Sequence, residues 1–287
     1  MSAPNRLFGV ILVLGAAVLW GTTGTIQAFL PEARDPLLVA GFRMVFGAAT
    51  LFVLAALAQG AFTGFMRLPW GWVIAAGASI AAYNLLFFKG VLGAGVGVGT
   101  VLAIGGAPIW VTLYTVIILR RRPGRITMTG QTLSITGAAL LVLSGGSEAS
   151  SLTGIILSIL AGAAYAAYST ITSKISDTAP SVTIAAATFG VAAVLVAPVF
   201  FIAPLDWALA PSPMALLIFL GVVVTGMSYA LYTKGLQTVP AASAVTLALA
   251  EPLTAWLLAT FLVGEANTPA KMAGAALLIA GLYVVSL

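Results

Sequence analysis

Two charged side chains stand deep in apolar stretches, where ionic chemistry is costly and therefore informative. Glu251 lies in LALAEP (247–252), roughly ten residues into an apolar run from Ala241 to Val263, so at ~1.5 Å per residue it sits ~15 Å deep. That is near the midplane of a ~30 Å hydrocarbon core. A carboxylate at this depth marks a functional site by default. Three roles are open to it: a structural hydrogen bond or ion pair, proton coupling, or direct contact with a solute. Arg43, in GFRMVFGA from Gly41, is about six residues, or ~9 Å, from the end of its own run. Its side chain is long enough to reach toward Glu251 or to snorkel back to the interface as an anchor. Desolvation and a neighbouring guanidinium act in opposite senses on a carboxylate's charge, so proton carriage depends on the geometry between the two. Pro252 has no N–H to donate, which predicts a loosened helix beside the carboxylate.

Aromatic and hydroxyl side chains supply a second set of candidates. Trp20, Thr22 and Thr23 lie in VLWGTTGT, Tyr165 and Tyr168 in AAYAAYST, Tyr83, Asn84 and Phe87 in a third run, and Tyr229 and Tyr232 in an eighth. Tyr165 and Tyr168 are one helical turn apart on one face. Phenol and amide groups at such depth need partners or water, which favours the lining of a cavity over lipid exposure, with ordinary helix packing as the alternative. Trp110 and Trp256 are weaker candidates of the same kind. Other chemistry is absent from the chain: it has no cysteine and no histidine, which removes thiolate nucleophiles, imidazole bases and the usual zinc and haem ligands. No metal or cofactor is expected. An intramembrane enzyme would need a nucleophile with a base, or two close carboxylates, and only one deep carboxylate is present. GVLGAGVGVG (90–99) has Val98 where a GxGxxG motif needs its last glycine. A tight loop and a close helix crossing are the expected uses of those glycines.

The elements that must position these residues are membrane helices. Of 287 residues 61% are hydrophobic and 7% charged, far from the ~25% charged of a soluble domain. Ten apolar runs can be counted: Leu7–Ala28, Leu37–Ala58, Trp70–Phe88, Val96–Leu119, Ile126–Leu143, Leu152–Ser173, Val182–Ala203, Met214–Thr233, Ala241–Val263 and Ala270–Leu287. The fold class is an all-α polytopic membrane protein with the lipid bilayer as its solvent. The net charge of +5 includes RRRPGR at 120–125, which in this setting reads as a cytoplasmic loop and not as a nucleic-acid surface. With the N-terminus inside, Arg6, Arg67, Arg120, Arg121, Arg122, Arg125, Lys174 and Lys234 fall on the inner side, and Arg34, Lys89 and Lys271 on the outer. That bias places both termini in the cytoplasm. Glu32, Asp35, Glu148, Asp206 and Glu265 then fall outside.

The chain also repeats itself. A shift of 145 residues aligns Gly9 with Gly154, Trp20 with Tyr165, Thr25 with Thr170 and Lys89-Gly90 with Lys234-Gly235; a shift of 144 then aligns Pro108 with Pro252, Gly130 with Gly274 and Gly137 with Gly281. Each unit, 1–147 and 148–287, holds five helices joined by the linker at 144–151. An odd number makes the second copy enter the membrane from the opposite side, an inverted repeat of the kind that builds transporters around a midplane site. Lys89 and Lys234 end equivalent helices on opposite faces, as gate charges or snorkelling anchors. Pro108 and Pro252 mark equivalent breaks, but Ala107 stands where the second half has Glu251.

Two such units, the arginine of GFRMVFGA and the segment AEPLTAWLLATFLVGE (250–265) resemble the drug/metabolite transporter superfamily in its EamA branch. The last segment is similar to the branch's EP…GE ending of the ninth helix, whereas RRR at 120–122 departs from it in the first half. Overall the chain looks most like the aromatic amino-acid exporters of the YddG type. What the resemblance implies is a multi-pass protein of the bacterial inner membrane that exports amino acids or related metabolites by alternating access; a monomer is the expected form. A flat apolar side chain would meet the aromatic residues, and Thr22, Thr23 or Asn84 its charged end. A multidrug or nucleotide-sugar carrier is the alternative, though phosphate calls for several deep basic residues and only Arg43 is evident.

Overall fold

Ten helices of the computed structural model are long and apolar enough to cross a bilayer, one for each run above. They are α1 (Asn5–Ala28), α2 (Pro36–Leu57), α3 (Trp70–Ala94), α4 (Val96–Ile117), α5 (Arg125–Leu143), α6 (Leu152–Lys174), α7 (Ser181–Ile202), α8 (Pro211–Gly235), α9 (Ala241–Leu262) and α10 (Pro269–Ser286). The structure describes residues 3–58, 61–144, 150–264 and 266–287. Glu148, Glu265 and most of the linker lie outside the described residues, among which no strand occurs.

Local chemistry sets several helix starts. Asp35 accepts a hydrogen bond from the Leu37 amide at 2.7 Å, with Pro36 in the first turn. Ser151 accepts from Gly154 N at 3.0 Å, and Thr268 from Lys271 N at 3.2 Å ahead of Pro269 and the rest of α10. These are N-caps that satisfy amides with no partner inside the helix, and proline fits the first turn for the same reason. α3 runs past Phe88 and Lys89 to Ala94, and a single residue, Gly95 at φ 80°, separates it from α4. The glycines therefore extend a helix more than they make a loop. Gly90 and Gly93 lie against Ser158 and Gly154 of α6, where the backbones pass too closely for larger side chains.

Packing follows the repeat. Gly90 of α3 meets Ser158 of α6, and Gly235 of α8 meets Val13 of α1; the 145-residue shift turns the first contact into the second. Gly41 and Phe52 of α2 meet Phe200 and Gly190 of α7, so these equivalent helices run antiparallel. In the same way Gly130 and Gly137 of α5 face Val285 and Leu278 of α10. In lipid, where apolar burial drives little, such close backbone approach is a main source of cohesion.

Two helices are broken at matching places. Pro108 and Pro252 cannot donate to the carbonyls four residues earlier, Ile104 and Ala248. α4 answers with a widened turn over Val101–Gly105. α9 answers with a tight turn at Ala248–Leu249, after which the helix restarts at Ala250 and Glu251 N bonds Ala248 O at 3.0 Å. The loosening anticipated at Pro252 thus falls just before Glu251, which occupies the first turn of a new half-helix.

Candidate functional site

Where α1 and α9 cross, a side chain at Gly21 would collide with Thr254 and the Glu251 carbonyl. That close approach brings Glu251 to the wall of a cavity of about 590 Å³, a size typical of small-molecule sites. Its lining comes from both halves: Trp20, Thr23 and Gln27 of α1, Arg43 of α2, Tyr83, Phe87 and Phe88 of α3, Tyr165 of α6, Tyr229 of α8, Glu251, Pro252 and Trp256 of α9, and Lys271 of α10. Arg34, Leu92, Val96 and Lys271 lie toward its mouth, so it reaches the face carrying the α1–α2, α3–α4 and α9–α10 connections.

Arg43 is held rather than free to snorkel. Only 7% exposed, it donates through Nε to Thr225 Oγ1 at 3.2 Å, and the Thr225 hydroxyl donates to Leu220 O at 2.9 Å inside a widened turn of α8. The guanidinium carbon is 5.8 Å from the Phe88 ring centroid, within cation–π range. Among the described residues no hydrogen bond or ion pair joins Arg43 to Glu251. Arg43 and Glu251 thus line the same cavity without neutralising each other directly.

The floor is aromatic. Trp20 contacts Tyr229 and Tyr232 with centroids 4.9 and 5.2 Å apart, Tyr83 contacts Tyr165 at 5.1 Å, and Phe189 contacts Tyr229 at 4.4 Å. Several are edge-on or tilted, as ring quadrupoles prefer.

Of the residues singled out by type, Trp20, Thr23, Arg43, Tyr83, Phe87, Tyr165, Tyr229, Glu251 and Pro252 share this cavity. Tyr168 and Tyr232 are buried among the floor rings, outside the lining. Thr22 donates to Leu19 O at 2.7 Å and Asn84 to Ile80 O at 3.0 Å, so each bonds back to its own helix. Lys89 is exposed, Lys234 donates to Gln237 at 2.7 Å, and Pro108 is buried in α4. None of these lines the cavity, and neither does Trp110. Gln27, Arg34, Phe88 and Lys271 line it without having been singled out. Arg34 and Lys271 read in sequence as loop charges, and only the packing of α9 against both α1 and α10 brings them to one cavity.

Ten apolar helices, two packed copies of one unit and a central cavity define a membrane transporter. The EamA-like transporter family matches the chain twice, over residues 7–143 and 152–287, and the chain belongs to that family. It is 35% identical over 278 residues to the uncharacterized transporter YwfM of Bacillus subtilis (strain 168), spanning 96% of this chain and 93% of that one. It is 23% identical to the uncharacterized inner membrane transporter YicL of Salmonella typhimurium (strain LT2), spanning 97% and 95%. A crystal structure of another protein is similar with a TM-score of 0.83 at 19% identity, over 96% of this chain and 95% of that one, a likeness of fold.

Proposed function

We propose that this transporter exports amino acids with aromatic or other apolar side chains by alternating access between two inverted five-helix units, with both termini in the cytoplasm of a bacterial inner membrane. One observation carries the substrate: Glu251 and Arg43 line one aromatic cavity without pairing to each other. A zwitterion supplies the missing partners. Its ammonium meets Glu251, its carboxylate meets Arg43, and its side chain lies against Trp20, Tyr83, Phe87 and Tyr229. Charge-assisted bonds in a desolvated site are the strong ones, while the rings provide area without demanding one exact shape.

The antiparallel packing of α2 with α7 and of α5 with α10 supports the inversion, since these are repeat partners. Rocking one unit against the other would then expose a midplane site to either face. The chain is taken to act as a monomer. Arg34 and Lys271 at the cavity mouth favour a second reading, a phosphorylated solute such as a nucleotide sugar, because they add basic charge beyond Arg43.

Counter-flow in reconstituted vesicles separates these readings. Vesicles loaded with unlabelled phenylalanine, tryptophan or leucine are expected to accumulate the labelled form transiently. Exchange of nucleotide sugars alone would overturn the amino-acid assignment.

A further inference from the structure

Arg43 can offer a carboxylate-binding edge to the cavity only if something fixes which edge that is. A guanidinium carries its N–H donors in a planar fork, one on Nε and the rest on the two Nη atoms. It can meet a carboxylate side-on, through Nε and one Nη, or end-on, through both Nη. At Arg43 the first edge is taken. Nε donates to Thr225 Oγ1 at 3.2 Å, the central carbon stands 5.8 Å from the Phe88 ring centroid, and among the described residues no protein acceptor is bonded to either Nη.

The Thr225 hydroxyl has a single proton, which it donates to Leu220 O at 2.9 Å. Its oxygen is left to face Arg43 as an acceptor. α8 widens over Val222–Met227, so the bond from Thr225 runs back five residues instead of the usual four. Widened turns of this kind are frequent at functional sites. The approach is also tight: a side chain at Gly47 of α2 would collide with Thr225, one at Gly221 with Phe46 and one at Gly226 with Thr50. Three glycines thus seat α8 against the helix that carries Arg43. Thr225 itself is fully buried and lies outside the cavity lining, so it acts on a solute only through Arg43.

The other half of the molecule shows which part of this is architecture. A shift of 145 residues carries Arg43 to Thr188 of α7 and Thr225 to Ile80 of α3. Those helices also pack closely, with Gly77 against Val191 and the Thr188 carbonyl, yet α3 is a regular helix throughout Trp70–Ala94. Close packing therefore needs neither the hydroxyl nor the widened turn. Both occur where the deep arginine is.

We propose that Thr225 is a positioning residue for the solute's carboxylate: it holds the Nε edge of Arg43, so that the Nη edge faces the cavity, and as a neutral acceptor it orients the guanidinium without neutralising it. A carboxylate in its place would orient the group and cancel its charge. The proposal rests on the amino-acid reading above.

Binding of phenylalanine to the full chain in detergent, compared with binding of phenethylamine, tests it, because the amine keeps the ring and the ammonium and lacks the carboxylate. The parent chain should prefer phenylalanine. Thr225→Val keeps the size and removes the acceptor; it should lower that preference about fivefold, what one net hydrogen bond supplies, by weakening phenylalanine and not phenethylamine. Thr225→Ser keeps the hydroxyl and should stay within about twofold of the parent preference. Should the valine variant yield no folded protein, Thr225→Cys, whose sulfur is a weak acceptor, replaces it with the same expectation. An unchanged preference without the hydroxyl, an equal loss for both ligands, or a serine variant that behaves like the valine one would make Thr225 a packing residue and overturn the proposal. Lack of any preference for phenylalanine in the parent chain would overturn the amino-acid reading instead, a result read before any variant is made.

Discussion

Pro108 and Pro252 break α4 and α9 at equivalent points, yet the two breaks serve different ends. At the first, Ala107 is fully buried and Pro108 lies away from the cavity. At the second, Glu251 and Pro252 both line it. The break is shared because proline lacks, in each half, the amide that would close the helical bond to Ile104 or Ala248. The charge is unshared although the cavity touches both breaks: at α9 Glu251 and Pro252 line it, whereas at α4 Thr100 and Ile104 do and the position of Glu251 is taken by the buried Ala107. A repeat thus conveys backbone geometry to both halves and leaves chemistry to be placed in one.

Moving the charge tests this contrast most severely. Ala107→Glu should cost about 2.5–3.5 kcal/mol, the usual penalty for a carboxylate at helix centre, seen as a loss of monodisperse protein and a lower unfolding temperature in detergent. A variant as stable as the parent would mean that the α4 break tolerates charge as α9 does. Removing the charge comes next. Glu251→Gln should stay folded in detergent, flatten the pH dependence of transport between pH 5 and 8, and weaken amino-acid binding by about 1.5–3 kcal/mol, the worth of a hydrogen bond to a charged group. Transport with an unchanged pH profile would remove proton coupling from Glu251.

Arg43→Lys sharpens the same contrast from the other pole. It keeps the charge and loses the planar fork that fits a carboxylate. Binding of phenylalanine should fall by about tenfold while phenethylamine, which lacks the carboxylate, is affected less. Equal losses for both ligands would make Arg43 a packing residue held by Thr225. Gly137→Ala should cost about 1–3 kcal/mol through overpacking against Leu278 and the Gly274 carbonyl, without altering solute preference. The smallest effect belongs to Pro108→Ala, which should restore one helical hydrogen bond and leave exchange close to the parent rate. Pro252→Ala should slow exchange, because that break positions Glu251; the reverse order of effects would undo the comparison.

Much of this was legible before any coordinates. Hydrocarbon imposes length and polarity on a spanning helix, so the apolar runs located all ten helices, nine to within a few residues and α3 six residues short of its end at Ala94. The repeat was legible because close helix crossings need small residues at fixed places: Gly90 and Gly235, or Gly137 and Gly281, recur for a steric reason. Aromatic candidates were legible as a group but not one by one. Tyr165 and Tyr168 lie on one helix face, yet the first lines the cavity and the second is buried beneath it, a difference set by how α8 lies across α6. Thr22 and Asn84 looked available for a solute, and each is occupied by a carbonyl of its own helix, a local competition that residue type does not reveal.

Sequence by itself determined the solvent, the number of helices, the two-unit plan and the presence of one acid and one arginine at depth. Those are properties of a single helix in lipid or of one stretch compared with another. Tertiary structure alone decided that Glu251 and Arg43 share one cavity without pairing, that Arg34 and Lys271 join its mouth, and that Tyr165 lines it while Tyr168 and Tyr232 are buried beneath. These depend on which helices cross and how closely, and crossing distances of a few ångströms are set by the whole bundle rather than by any one of its strands of sequence.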